Sequence, residues 1–242
     1  MASASWIFLL GSGSSIRVRC QPVCPLPPTR KPLLCYVTDR RSLTGVSDLA
    51  IKLQLQKIEQ ATKAGVDWIQ LREKDLPARE LASLVEEAIL CAENGAAVLV
   101  NDRLDVACAT GASGVHLGEQ SLPANEARRL VSKRCARDNF IMGVSAHSLE
   151  GAMQVEQAGT DYVIFGPVYE TPSKARFGRP QGVPRLREAC KRLTIPVLAI
   201  GGITLENAGD CFAAGAAGIA AIRLFQDAAD LGNLVKELRK LS

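Results

Sequence analysis

The chain has 242 residues, 47% of them hydrophobic and 22% charged. That suffices for one barrel-sized core or two small domains, with no run of the roughly 18 apolar residues a membrane span needs. The formal charge of +4 is that of Arg17, Arg19, Arg30 and Lys31, because residues 1–31 contain no acid and the remainder balances 25 basic against 25 acidic residues. A nucleic-acid footprint and a membrane anchor are thus both excluded from the reading, which is that of a cytoplasmic protein.

Residues 1–31 are rich in Ser, Gly, Pro and Arg and contain one short apolar patch, Trp6 to Leu10. The patch is too short for a secretory h-region and has no preceding positive charge, so the segment reads as a disordered or cleavable N-terminal extension, a transit peptide or simply an over-extended start, outside the fold. The eight cysteines, at 20, 24, 35, 91, 108, 135, 190 and 211, form no Cys-x-x-Cys pair and fall mostly in apolar segments. They read as buried or incidental thiols of a reducing compartment, and with His116 and His147 the only histidines, no zinc site is expected.

From Leu33 onward, short apolar runs alternate with amphipathic stretches. The runs predict strands at 33–38, 67–71, 97–100, 114–117, 140–144, 161–165, 195–200 and 218–222. Helices are predicted at 49–64, 78–93, 104–110, 123–132, 148–158, 183–193, 205–214 and 227–241. Gly65, Gly95, Gly111, Gly159 and Gly215 stand where a helix wants a left-handed terminal residue. Eight strand-plus-helix units predict a single (β/α)8 barrel over residues 32–242, with a doubly wound open sheet as the alternative.

In a barrel, the residues that end each strand face one mouth, where ligands bind. The sixth strand runs into Gly166-Pro167 and then Thr171-Pro172-Ser173-Lys174, a loop with two hydroxyls and a cation, suited to an anion such as phosphate. After the second strand, alternation places Gln70, Arg72 and Lys74 on one side as a comb of donors, whereas Glu73 and Asp75 fit a solvated turn better. Asn101 and Asp102 end the third strand. They suit either a helix N-cap or a Mg²⁺ site completed by substrate phosphates. The fourth and fifth strands add His116, Glu119, Gln120 and Ser121, then Ser145 and His147. Gly201-Gly202 after the seventh lets backbone N–H groups approach an anion, and Arg223, predicted to end the eighth, closes that side. Two facing anion sites, one of them suited to a metal, favour an enzyme that joins or cleaves phosphorylated small molecules.

Gln70-Leu71-Arg72-Glu73-Lys74, Asn101-Asp102, Gly114 to Gly118, Gly143 to His147, Phe165 to Val168 with Thr171 to Lys174, and Ile200 to Ile203, in this order, resemble the thiamine-phosphate synthase and thiazole tautomerase superfamily. The likeness covers about residues 33–226. It implies a Mg²⁺-dependent transferase that couples hydroxymethylpyrimidine diphosphate to a thiazole phosphate and releases diphosphate. Gln70, Leu71, Arg72, Glu73, Lys74, Asn101, Ser145 and Lys174 would hold the pyrimidine diphosphate. Thr171, Pro172, Ser173, Gly201, Gly202, Ile222 and Arg223 would hold the thiazole phosphate, and Asp102 with Ser121 the metal. Arg72, Lys74, Ser145 and Lys174 would carry the catalysis. The chain departs from the synthase pattern at Ser121, where a second metal-binding Asp is usual, and at Arg223, where a Ser is usual. Two other functions remain open: a tautomerase using His147 as acid and base, and an inactive phosphate-binding homologue. Homo-oligomer formation is left open.

Overall fold

The computed structural model describes residues 31–92, 95–134, 139–171 and 179–241. Eight parallel strands close into a barrel in chain order: β1 Leu33–Val37, β2 Trp68–Leu71, β3 Ala97–Asn101, β4 Gly114–Leu117, β5 Ile141–Ala146, β6 Tyr162–Phe165, β7 Val197–Ile200 and β8 Gly218–Ala221. Closure comes from β8, which pairs back onto β1 through Leu33↔Gly218 to Tyr36↔Ala221. The helices are α1 Ser47–Ala64, α2 Ala78–Cys91, α3 Leu104–Thr110, α4 Ala124–Arg134, α5 Leu149–Gln157, α6 Gly182–Arg192, α7 Leu205–Ala213, α8 Arg223–Gln226 and α9 Leu231–Lys240. The open-sheet alternative is thereby overturned.

Period-two alternation along each strand divides the apolar residues between two cores. Leu33, Cys35, Trp68, Leu99, Ile141, Tyr162, Ile164 and Leu198 fill the barrel interior. Leu34, Tyr36, Ile69, Leu71, Val98, Val100, Val163 and Phe165 face outward into the larger layer under the helices. Each helix reaches that layer with one stripe, as in α2, where Leu81, Leu84, Val85 and Ala88 recur at helical spacing and are buried. At Gly65, φ is +91°, and its N–H returns to the Ala61 and Thr62 carbonyls to close α1, a conformation a Cβ would penalise.

Two departures from the predicted elements have local causes. The last predicted helix, 227–241, starts later, at Leu231, because the Asp230 carboxylate accepts from the Asn233 N–H (2.9 Å) and caps α9, and the separate short helix α8, not predicted, precedes it. A 3₁₀ turn at Arg40–Ser42, where the sequence predicts no element, is anchored by the buried Arg40. The residues 67 and 161 expected to begin strands lie just outside them, and their carboxylates brace the barrel floor. Asp67 accepts from Leu34 N–H and Arg239 (both 2.7 Å), and Asp161 from Met142 N–H (2.6 Å) and Arg128 (2.7 Å).

Cys35, Cys91, Cys190 and Cys211 are free thiols, but Cys108 is disulfide-bonded, contrary to the expectation that all the cysteines are thiols. Among the described residues, no helix is long and apolar enough to cross a membrane. The N-terminal extension up to residue 30, with Cys20 and Cys24, lies outside the described residues.

Candidate active site

The C-terminal ends of β2, β3 and β4 assemble a chain of hydrogen bonds whose direction is fixed by one charge. Asp102 follows β3 at φ +62°, a left-handed conformation that Asp tolerates better than most residues and that aims its carboxylate across the mouth. That carboxylate can only accept. Oδ1 accepts from the Gly118 N–H (3.1 Å) and the Ser121 hydroxyl, and Oδ2 from Asn101 Nδ2 (2.7 Å). With its amide nitrogen committed to Asp102, Asn101 turns Oδ1 to Gln70 and accepts from Gln70 Nε2 (3.0 Å). Gln70 is thereby left with Oε1, a buried acceptor without a hydrogen-bond partner. A buried carbonyl in that state costs free energy until a ligand N–H reaches it.

Burial raises the Asp102 pKa, but the Ser121 and Gly118 hydrogen bonds, the nearby Lys74 charge and Asn101 outweigh it and hold the carboxyl below its usual value. Asp102 is therefore an anion at neutral pH. Its two oxygens have about four acceptor positions, three of them used, so one remains for a metal ion. Among the described residues, no group of three or more His, Cys, Asp or Glu could hold a metal ion. Glu119 Oε1 accepts from the His147 N–H (2.9 Å). One free carboxylate position still fits Mg²⁺, which accepts one protein carboxylate when substrate phosphates and water supply the rest.

Arg72 and Lys74 line a cavity of about 500 Å³ together with Asp39, Arg41, Ser42, Glu73 and Asp75. Among the described residues, neither Arg72 nor Lys74 has an ion-pair partner, so both charges are available to an anion. Of the five residues from Gln70 to Lys74 that the resemblance gives to the pyrimidine diphosphate, Leu71 and Glu73 have side chains engaged within the protein. Leu71 is buried outward in the layer under the helices and offers the mouth only its backbone. Glu73 turns into the protein body, where it pairs with Arg40 (2.9 Å) and accepts from the Thr38 hydroxyl (2.5 Å). Thr38 in turn accepts from the Arg72 N–H (3.0 Å), and Arg40 also forks onto Asp75 (2.8 Å to each oxygen). The acids read as a solvated turn are the bolts that hold the cationic loop. No sequence signal marked Arg40 as their partner, 33 residues from Glu73 and 35 from Asp75.

Deeper in the barrel, His116 Nδ1 lies 3.0 Å from the Tyr162 hydroxyl and Nε2 2.9 Å from the Ser145 hydroxyl. Burial lowers the His116 pKa to about 3, against the raising effect of Asp102 and together with the lowering effect of Arg72, so the imidazole is neutral. His147 donates Nδ1–H to the Gly166 carbonyl.

Across the mouth, Gly201 and Gly202 have φ of +99° and +64°. Sequence gave their reason as anion approach; the structure adds a second. A Cβ on Gly201 would stand 2.6 Å from Pro167, and the β6 loop lies so close that Val168 and Tyr169 N–H donate to the Ile200 and Gly201 carbonyls (2.8 and 3.0 Å). Arg223 does not end β8, which stops at Ala221; Ile222 caps α8 and Arg223 opens it. The strand stops early because Ile222 leaves the extended conformation (φ −92°, ψ −77°). Thr171 lies within the loop between β6 and α6, while Pro172, Ser173 and Lys174 lie outside the described residues.

A closed (β/α)8 barrel that gathers unpaired cations, a bound carboxylate and an unsatisfied acceptor at its C-terminal mouth is the frame of a TIM-barrel enzyme. Comparison with known proteins narrows that class. The family model described as thiamine monophosphate synthase matches residues 34–225. A putative thiamine-phosphate synthase of Geobacter sulfurreducens is 44% identical over 190 residues, 78% of this chain and 84% of that protein. The thiamine-phosphate synthase of Chlorobium luteolum is 41% identical over 192 residues, 79% and 84% of the two chains. Among solved structures, a thiamine phosphate pyrophosphorylase from Pyrococcus furiosus superposes with a TM-score of 0.74 at 34% identity, covering 86% of this chain and 94% of that one. The chain belongs to the thiamine monophosphate synthase family.

Proposed function

We propose that this protein is a thiamine-phosphate synthase that joins hydroxymethylpyrimidine diphosphate to a thiazole phosphate with release of diphosphate. The observation that carries the substrate assignment is the orphaned Gln70 Oε1 at the end of the Asp102-directed relay. A buried acceptor beside Arg72 and Lys74 suits a ligand with an amino group at one end and a polyphosphate at the other, which describes an aminopyrimidine diphosphate.

In the reaction, the bond between the pyrimidine methylene carbon and the diphosphate oxygen breaks, its electron pair leaving with diphosphate, and the thiazole nitrogen donates a pair to the methylene carbon. Arg72 and Lys74, with Lys174 in the proposed set, neutralise charge that grows on the leaving oxygens. Gln70 and Asn101 orient the ring through its amino group, and Ser145 contributes a hydroxyl donor. Gly201, Gly202, Thr171 and Arg223 position the thiazole phosphate so that its nitrogen faces the methylene carbon. Asp102, backed by Ser121, would hold Mg²⁺, which supplies charge neutralisation on the diphosphate. No side-chain nucleophile is needed.

A cytoplasmic setting belongs to this proposal; four free thiols support it and the Cys108 disulfide counts against it. The test is incubation of the full chain with both precursors, with and without Mg²⁺. Thiamine phosphate should form with Mg²⁺ and decline in excess chelator. No product under any condition would return the chain to the reading of an inactive phosphate-binding homologue.

A further inference from the structure

His116, Gly143 and Tyr162 occupy one row across three neighbouring strands, with His116 paired to Gly143 and Gly143 to Tyr162. The middle position has no side chain, and a Cβ there would run into the Tyr162 ring. The two outer rings therefore meet above Gly143, centroids 5.6 Å apart, with Trp68 packed against Tyr162 at 4.7 Å. Tyr162 is fully buried. Among the described residues, His116 Nδ1 is the one hydrogen-bond partner of its hydroxyl.

This geometry fixes protons. If Nδ1 carried the hydrogen, the phenolic proton would be buried without an acceptor, the unfavourable state of an unsatisfied donor. The phenol therefore donates to Nδ1, the neutral ring carries its hydrogen on Nε2, and Nε2–H donates to Ser145. Ser145 has no other side-chain partner among the described residues, so its own proton remains free for the mouth. With the opposite tautomer, Ser145 would spend that proton on the imidazole and present only lone pairs, which repel a phosphate or ring-nitrogen acceptor.

We propose that His116 and Tyr162 are positioning residues that set the Ser145 hydroxyl as an obligate donor to an acceptor atom of the pyrimidine diphosphate. The role rests on the reaction proposed above, whereas the tautomer is a property of the free protein. Nitrogen-15 spectra of the full chain test the tautomer without substrate, with His116→Gln assigning the signal between the two histidines. Protonated Nε2 and bare Nδ1 are expected, and Tyr162→Phe, which keeps the ring packing, should convert His116 to a mixture. A hydrogen resident on Nδ1 in the unsubstituted chain overturns the proposal.

Calorimetry and kinetics test the role. His116→Gln should lower kcat/KM for the pyrimidine diphosphate about tenfold, the equivalent of one ordinary hydrogen bond, and should add almost nothing in a Ser145→Ala background. Multiplying losses, in variants whose circular dichroism is unchanged, would show a merely structural part and overturn the proposal. Weaker binding of inorganic diphosphate by both variants would place the acceptor on the diphosphate. A loss confined to the whole substrate would place it on the pyrimidine ring, and unchanged affinity for both probes overturns the proposal. If the unsubstituted chain makes no product, the reaction fails by itself, since tautomer and diphosphate binding are read without turnover.

Discussion

Replacing Arg40 with Met should unfasten the cationic loop from the barrel. The Arg40 and Glu73 side chains are 6% and 1% exposed, so the substitution leaves a carboxylate buried beside an apolar stem. Breaking a buried ion pair from one side costs about 3–5 kcal/mol. Here Glu73 keeps the Thr38 hydroxyl (2.5 Å) and the residue-40 backbone N–H (3.3 Å), which puts the expected loss near the lower end, about 3 kcal/mol. The solvent-facing bond to Asp75, a residue 43% exposed in its side chain, adds little. Urea unfolding should show the midpoint falling with an unchanged slope, and the melting temperature should drop by roughly 10 °C for a chain of this size. Because Thr38 links Glu73 to the Arg72 N–H, the KM for the pyrimidine diphosphate should rise as well. Adding Glu73→Leu should recover most of the stability but not the KM, since the uncompensated charge goes while the loop remains unbraced. A single-variant loss below about 1 kcal/mol would refute the reasoning, because it would mean that Glu73 is solvated rather than buried in the pair.

Asp102→Ala should cost on the order of a hundredfold in kcat, as for one strong electrostatic stabiliser, while His147→Ala costs much less; the reverse pattern in steady-state assays would favour the tautomerase function. Ser121→Asp should lower the Mg²⁺ concentration for half-maximal rate, measured by metal titration, since the Asp102 site then gains a second carboxylate. Arg223→Ala should raise the thiazole KM well above any effect on the pyrimidine KM, and equal effects would remove Arg223 from the phosphate site. With its pKa lowered from 6.5 to about 3, His116 stays neutral in the fold while the unfolded chain takes up a proton. Stability should therefore fall as pH drops from about 6.5 toward 3, flanking Asp102 and Arg72 included, and His116→Gln should flatten that slope in unfolding titrations.

Sequence by itself determined the eight-fold alternation and the order of the strands along the chain. Those features follow from local periodicity, since a strand repeats every two residues and a helix every 3.6. It also picked out Gln70, Arg72, Asp102 and Ser145, because polar residues at the ends of apolar runs stand out along the chain. Closure of the barrel, however, depends on β8 meeting β1 about 185 residues away, and no local pattern records that pairing. Glu73 and Asp75 read as solvated acids until Arg40 arrived from another loop to bury one of them. Arg223 seemed to extend an apolar run, but the turn at Ile222 placed it on a helix. The direction of each hydrogen bond was likewise settled only in three dimensions. A proton goes where its partners leave room for it, and for Gln70, His116 and Ser145 those partners come from β3, β4, β5 and β6 together.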